Sequence, residues 1–239
     1  DVYKKQAQLT NLTITPAANS DADFTLGINA IATEGTGGDT ETTTASIPVT
    51  VIPAASVLNS LTNRDDAFQG VDLSFAFPFQ GATYSKLYVS TNGNASLGTN
   101  AYVSWNASVN TFTNETAPII APFWSDLDLR SMGKVFFNDL GDSAVISWDG
   151  VGAYTNRTKP FTFEMELVND GSIMFSYQGI SDISYLWRNL IVGTSPAGGV
   201  ANPGENDYSA DTPFNTATSG IVYEHFLHNT ETFDLDNTS

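Results

Sequence analysis

Short runs of alternating apolar and polar residues, broken by Gly, Pro, Asn and Asp, recur along this chain. A period of two sends successive side chains to opposite faces of an extended strand, so the pattern predicts β-structure. The clearest case is Phe161 to Leu167, where Phe161, Phe163, Met165 and Leu167 share a face. Asn169-Asp170-Gly171 then turns the chain, and Ile173, Phe175 and Tyr177 alternate on the return strand. Upstream, Phe75, Phe77 and Phe79 alternate and predict an aromatic face that must be buried. Leu87-Tyr88-Val89 leads to Asn92-Gly93, two residues that tolerate positive φ, and Ala95 to Gly98 reads as the return strand of a hairpin. Lys134–Phe137 and Ala144–Trp148 are two more strands about a turn at Asp139–Asp142, and Leu190–Gly193 is another. Ser195 to Ser219 reads as loop, and Phe233–Leu235 as a last short run.

The first fifty residues read as a separate, smaller unit. Leu12–Thr15 and Asp23–Ala30 are candidate strands, the second with Phe24, Leu26 and Ile28 on one face. A Gly/Thr-rich turn at 34–39 leads to Ile47–Val51, whose Pro48 suggests an edge strand. That makes about three strands before Pro53, where an immunoglobulin-like sandwich needs about seven. The missing strands lie outside this chain or come from a neighbouring one, by strand donation. Pro53-Ala54-Ala55-Ser56 is the best boundary. The expected organisation is a partial β unit over 1–53, a linker over 54–67, and a larger β domain with a loop-rich C-terminal extension over 68–239.

Composition narrows the class. Hydrophobic residues make up 41% and aromatics 12%, which suits a folded chain. A formal net charge of −17 repels nucleic acid and anionic membranes, and it attracts cations or basic surfaces. Solubility in a salty exterior explains the same charge equally well. The lack of cysteine removes disulfides, thiolate nucleophiles and Cys-based metal sites, and suits a bacterial or archaeal secreted protein, although cytosolic proteins can also lack Cys. No run approaches the roughly 20 apolar residues of a membrane-spanning helix. Starting at Asp1 without a signal-like segment, the sequence fits a processed or truncated form.

The densest stretch is Ala117 to Arg130, an apolar block closed by Trp124 and followed by Ser125-Asp126-Leu127-Asp128-Leu129. In an extended chain Asp126 and Asp128 share a face, a placement suited either to oxygen ligation of Ca²⁺ or to hydrogen bonding of loop amides. Asp65-Asp66 is either a contributor to a cation site at the domain junction or a solvated pair. Glu164 and Glu166 have the residue type of a glycosidase pair, but lie on the polar face of an amphipathic strand. His225 and His228 lack a third ligand. Trp105 and Trp187, in polar contexts, are the candidates for stacking on a sugar, against core packing for the other two tryptophans. Asn-x-Ser/Thr sequons occur at Asn11, Asn94, Asn106, Asn114, Asn156 and Asn237, candidate glycosylation sites in a secreted chain.

Taken together, FAFPFQGATYSKLYVSTNGNASLG, APIIAPFWSDLDLR, GKVFF, AVISWDGV and FTFEMELVNDGSIMFSYQGI resemble the nidogen-like (NIDO) domain family, over roughly Phe68 to Gly199. The resemblance implies an all-β, antiparallel β-sandwich-like domain of the kind found in extracellular matrix and adhesive proteins, with no catalytic role. Asp126 and Asp128 fall on the family's Trp-x-Asp-x-Asp piece. The acidic balance and the lack of Cys depart from the animal pattern, so animal partners do not carry over. The pieces LTITP, DFTL, ATEG and TTTASIPVTV resemble bacterial cadherin-like and immunoglobulin-like repeats. Such repeats bind Ca²⁺ at their ends, which makes Asp21, Asp23, Asp39 and Glu41 further candidates, against the reading of solvated turn carboxylates. The expectation is a secreted or cell-surface, non-enzymatic adhesion or structural module. It would associate with other extracellular proteins or with copies of itself in a fibre or matrix, with Ca²⁺ the cation to test. A carbohydrate-binding module is the alternative.

Overall fold

The computed structural model describes residues 23–51, 54–99, 105–180, 182–196, 198–210 and 220–235. The chain divides into two compact units, Asp1–Ala54 and Ala55–Ser239. In the first unit β1 (Phe24–Thr33) and β2 (Thr40–Val49) form an antiparallel hairpin with Phe24 opposite Val49 and Thr33 opposite Thr40. The second strand starts well before the predicted Ile47, because its Thr-rich run pairs along the whole of β1. Leu12–Thr15 lies outside the described residues.

The second unit is an all-β sandwich. Its first sheet runs β12-β11-β10-β9-β3, with β8 also on β10; the strands are β3 (Ser56–Val57), β8 (Leu127–Asp128), β9 (Lys134–Asp139), β10 (Ser143–Ala153), β11 (Pro160–Val168) and β12 (Ile173–Gln178). The second runs β14-β13-β7-β6-β5-β4, from β4 (Phe68–Phe79), β5 (Ala82–Ser90), β6 (Ala95–Leu97), β7 (Ile119–Trp124), β13 (Leu190–Ser195) and β14 (Val222–Phe226). Every pairing is antiparallel. The stretch 54–67 contributes β3 to the first sheet and buries Leu58 and Leu61.

The alternating strands bury the face their pattern predicts. Phe161, Phe163, Met165 and Leu167 of β11 are buried, and so are Phe77 and Phe79 of β4. Phe75 is half-buried, where the β4–β5 register shifts between Asp72 and Phe77. Between the sheets Phe123 packs on Phe161, Phe163 and Phe233 with ring centroids 5.1, 4.9 and 5.5 Å apart. Such pairs add about 0.5–1.5 kcal/mol each beyond area burial. Phe233 and Leu235 form no strand but lie in this core.

β7 shows no alternation because both its faces are covered. Ile120 and Phe123 face the inter-sheet core, while Ile119, Ala121 and Trp124 join a second cluster with Phe112. Phe112 comes from α1 (Val109–Asn114), a short helix capped by the Ser108 hydroxyl, which accepts from the Thr111 amide.

Candidate functional site

The Trp-x-Asp-x-Asp piece is where the chain changes sheets. β7 ends at Trp124 in one sheet, and Leu127-Asp128 pairs with Gly152 and Ala153 of β10 in the other. Ser125 and Asp126 make the crossing, which is why both are buried. The crossing separates the two carboxylates, which sequence placed side by side on one face of a single strand.

Asp128 is fully buried and clamped by arginines. Its Oδ2 takes the Arg130 Nη2 at 2.6 Å and the Arg157 Nε at 2.5 Å, and its Oδ1 takes the Arg130 amide at 2.8 Å. Burial alone would raise the Asp128 carboxyl, but the hydrogen bonds from Arg130 and Arg157 outweigh it and hold the group below its usual range. A Cβ at Gly152 would lie 2.8 Å from the Arg157 Cα, so only glycine lets the loop after β10 close on this site. Asp128 is therefore an ion-pair anchor, with its lone pairs already committed to nitrogen donors. This corrects its reading as a Ca²⁺ ligand.

Asp126 lies in different company. One oxygen each of Asp65, Asp66 and Asp126 lie within 4.8 Å of one another. Asp65 forms an isolated bridge with Asp128, and its Oδ2 takes Arg130 Nη2 at 2.7 Å. Asp66 has a left-handed backbone, φ 48°, and its Oδ1 accepts from Asn92 Nδ2 at 2.9 Å. The Asn92 Oδ1 in turn accepts the Leu127 amide at 3.0 Å, so this one amide ties the Asp66 loop to the crossing strand. Burial first, then the charges of Asp66 and Asp65, push the Asp126 carboxyl up to about 7, against the opposing pull of Arg188. Burial and the charges of Asp128 and Asp66 raise Asp65 as well, against Arg130 and Arg157.

Beside the clamp lies a ladder of rings and guanidiniums. Trp105 and Trp187 stack at 5.7 Å, and Tyr154 stacks on Trp187 at 5.6 Å. The Arg188 guanidinium sits 4.2 Å from the Trp187 ring and 4.9 Å from that of Trp105. The two tryptophans singled out for sugar stacking thus meet each other, and the face each gives to its partner is closed to a ligand. Trp187 is still 43% exposed, next to an exposed Tyr154.

The remaining candidates scatter. Asp23 accepts the Val51 amide at one end of the β1–β2 hairpin, while Asp39 and Glu41 lie at the other, about 30 Å away at the rise of a strand. Neither end joins a ligating trio among the described residues. Asp21, Asn11 and Asn237 lie outside the described residues. Glu164 is exposed on the outer face of β11 and accepts from Ser147 Oγ at 2.6 Å; Glu166 shares that face. His225 lies on β14, and His228 pairs with Asn189 at 3.0 Å. Asn94 is fully buried, so a folded chain cannot carry a glycan there. Asn106 and Asn114 are exposed and Asn156 is half-buried.

Sequence reading named Asp65, Asp66, Asp126 and Asp128 but not what sorts them. Asn92, Arg130 and Arg157 do the sorting. Only Arg130, two residues after Asp128, carried a local signal.

Among the described residues no helix is long and apolar enough to cross a membrane. No solved structure matches the chain significantly. Alpha-tectorin from Mus musculus is 26% identical over 172 aligned residues, which take in 57% of this chain. The chain matches only 7% of that protein's length. The model of the family described as NIDO related matches residues 39–221, most of the chain. This chain belongs to the NIDO-related family.

Proposed function

We propose that the chain is a non-enzymatic extracellular adhesion or structural module whose first unit joins it to further copies through sheet edges. NIDO-related membership and the similarity to alpha-tectorin support an extracellular structural role. The observation that carries the assembly reading is the β1–β2 hairpin. Its two ten-residue strands pair only with each other among the described residues, and Ile28, Ile31 and Ile47 are 40, 66 and 48% exposed. An isolated two-stranded hairpin is marginal in water, and its open edges present unpaired amides and carbonyls. Pairing with another chain would satisfy those groups, and strands packed against the two faces of the hairpin would cover the isoleucines, Ile28 and Ile31 lying on opposite faces. On this reading the hairpin is part of an immunoglobulin- or cadherin-like repeat completed by a neighbour.

Sedimentation and negative-stain imaging across a concentration series test this. Concentration-dependent polymers that Ile31→Lys weakens are expected. A monomer at high concentration, with the hairpin resistant to protease, would end the idea.

A second reading, carbohydrate binding, draws on the depression lined by Tyr154, Thr155, Asn156, Arg157 and Thr158. Its hydroxyl and amide lining beside an exposed aromatic suits a sugar. Glycan-array binding that Tyr154→Ala and Trp187→Ala abolish would favour it over assembly.

A further inference from the structure

Asp126 is 3% exposed, and no described residue donates a hydrogen bond to its carboxylate. A carboxylate this nearly buried and without a protein donor is costly, since most of the water it loses is not replaced. Its carboxylate neighbours add to the cost, because Asp65 and Asp66 each bring an oxygen into the same 4.8 Å cluster. A second group in the cluster is also unmatched. Asp65 Oδ1 is buried without a hydrogen-bond partner, although the other oxygen of that carboxylate holds Arg130.

The local cations do not resolve this. Arg130 and Arg157 are bound to Asp128, and the Arg188 guanidinium lies over the Trp105 and Trp187 rings. Meanwhile the backbone holds the carboxylates in place. Asp65 is pinned by its bridge to Asp128, and the Asn92 side chain links Asp66 to the amide of Leu127, the residue after Asp126.

We propose that Asp65, Asp66 and Asp126 bind a divalent cation, with Ca²⁺ the best fit, and that Asn92 positions two of the three. The donor set is all oxygen, which suits a hard cation. Oxygens around Ca²⁺ at about 2.3–2.6 Å lie up to about 5 Å apart, a span that takes in this cluster, whereas Mg²⁺ at about 2.0–2.1 Å demands a tighter shell. Three carboxylates facing nearby guanidiniums give a weak site, in the range of about 10⁻⁴–10⁻³ M typical of extracellular modules. The other acidic trio, Asp207, Glu224 and Asp234, is more open, and Glu224 already accepts the Tyr208 amide. It serves as the control.

Thermal unfolding of the full chain in EDTA and in 10 mM CaCl₂, roughly ten times the upper dissociation constant above, tests the site. Linkage gives the wild type a rise of about 3–10 °C in calcium across that range of dissociation constants. Asp126→Asn should remove that rise while raising the Tm in EDTA, since it removes a buried charge. Asp66→Asn, at an exposed position, should remove the rise without disturbing the fold, and Glu224→Gln should keep it. The proposal is overturned by a wild type indifferent to calcium, by a rise that both Asp66→Asn and Asp126→Asn retain, or by one that Glu224→Gln abolishes.

Discussion

The indole N–H of Trp148 donates to the Ser90 carbonyl at 2.9 Å, 58 residues away in sequence. Trp148 lies on β10 and Ser90 ends β5, so this bond joins the two sheets through the core. Both residues are buried, so no water can replace the donor. Trp148→Phe keeps the packing with Phe163, 5.1 Å away, but orphans the carbonyl and leaves a small cavity. The expected loss is about 2–4 kcal/mol in denaturant unfolding. A loss under about 0.5 kcal/mol would show that the bond is replaceable.

Asp128 gives an effect of similar size by a different route. Asp128→Asn leaves Arg130 and Arg157 without the buried anion that both contact. Removing one member of a buried ion pair costs about 3–5 kcal/mol, and the partial exposure of both arginines reduces this to about 2–4. Arg157→Ala, which leaves the Arg130 pair intact, should cost less. Equal losses in urea unfolding would mean that the two arginines do not share Asp128 as the geometry indicates.

At Gly93 the backbone sets the limit. Its φ is 72°, and a Cβ there would lie 2.0 Å from the Phe123 carbonyl oxygen, at the junction of β5, β6 and β7. Gly93→Ala meets backbone rather than a movable side chain, so a loss of about 3 kcal/mol or more is expected, read as insoluble expression or a lowered Tm. A variant as stable as the wild type would mean that the strand junction is softer than its packing indicates.

The same contrast between local and distant causes explains what was legible in the sequence. Asn92-Gly93 and Asn169-Asp170-Gly171 announced hairpins because turn geometry is a property of a few adjacent residues. Phe161–Leu167 announced a buried face because its partners lie on one side only. β14 carries no such signal: its Tyr223-Glu224-His225 centre is polar, and its place depends on the ladder with β13. Neither does α1, whose Val-Asn-Thr-Phe-Thr-Asn has little helix propensity and is held by Phe112 against Trp124 and Tyr223. The split of Asp126 from Asp128 was equally hidden. It arises from a strand that changes sheets, and a period-two pattern assumes a strand that does not.

Glu224 on β14 supplies a prediction in pH. Burial first, then the charges of Asp234, Asp207 and Glu205, push its carboxyl up to about 7, although the Tyr208 amide opposes this. In the unfolded chain the group titrates near 4.5, so between about 4.5 and 7 the folded state binds more protons than the unfolded. Its contribution is therefore fully present below about pH 4.5 and is lost as pH rises through about 7. Glu224→Gln keeps an acceptor for the Tyr208 amide and removes the charge. In EDTA it should gain stability relative to wild type at pH 8 but not at pH 4, by about 1–2 kcal/mol once its partial exposure is allowed for. Urea unfolding at the two pH values measures the difference. An identical effect at both would mean that Glu224 ionises in the folded chain as freely as in the unfolded one.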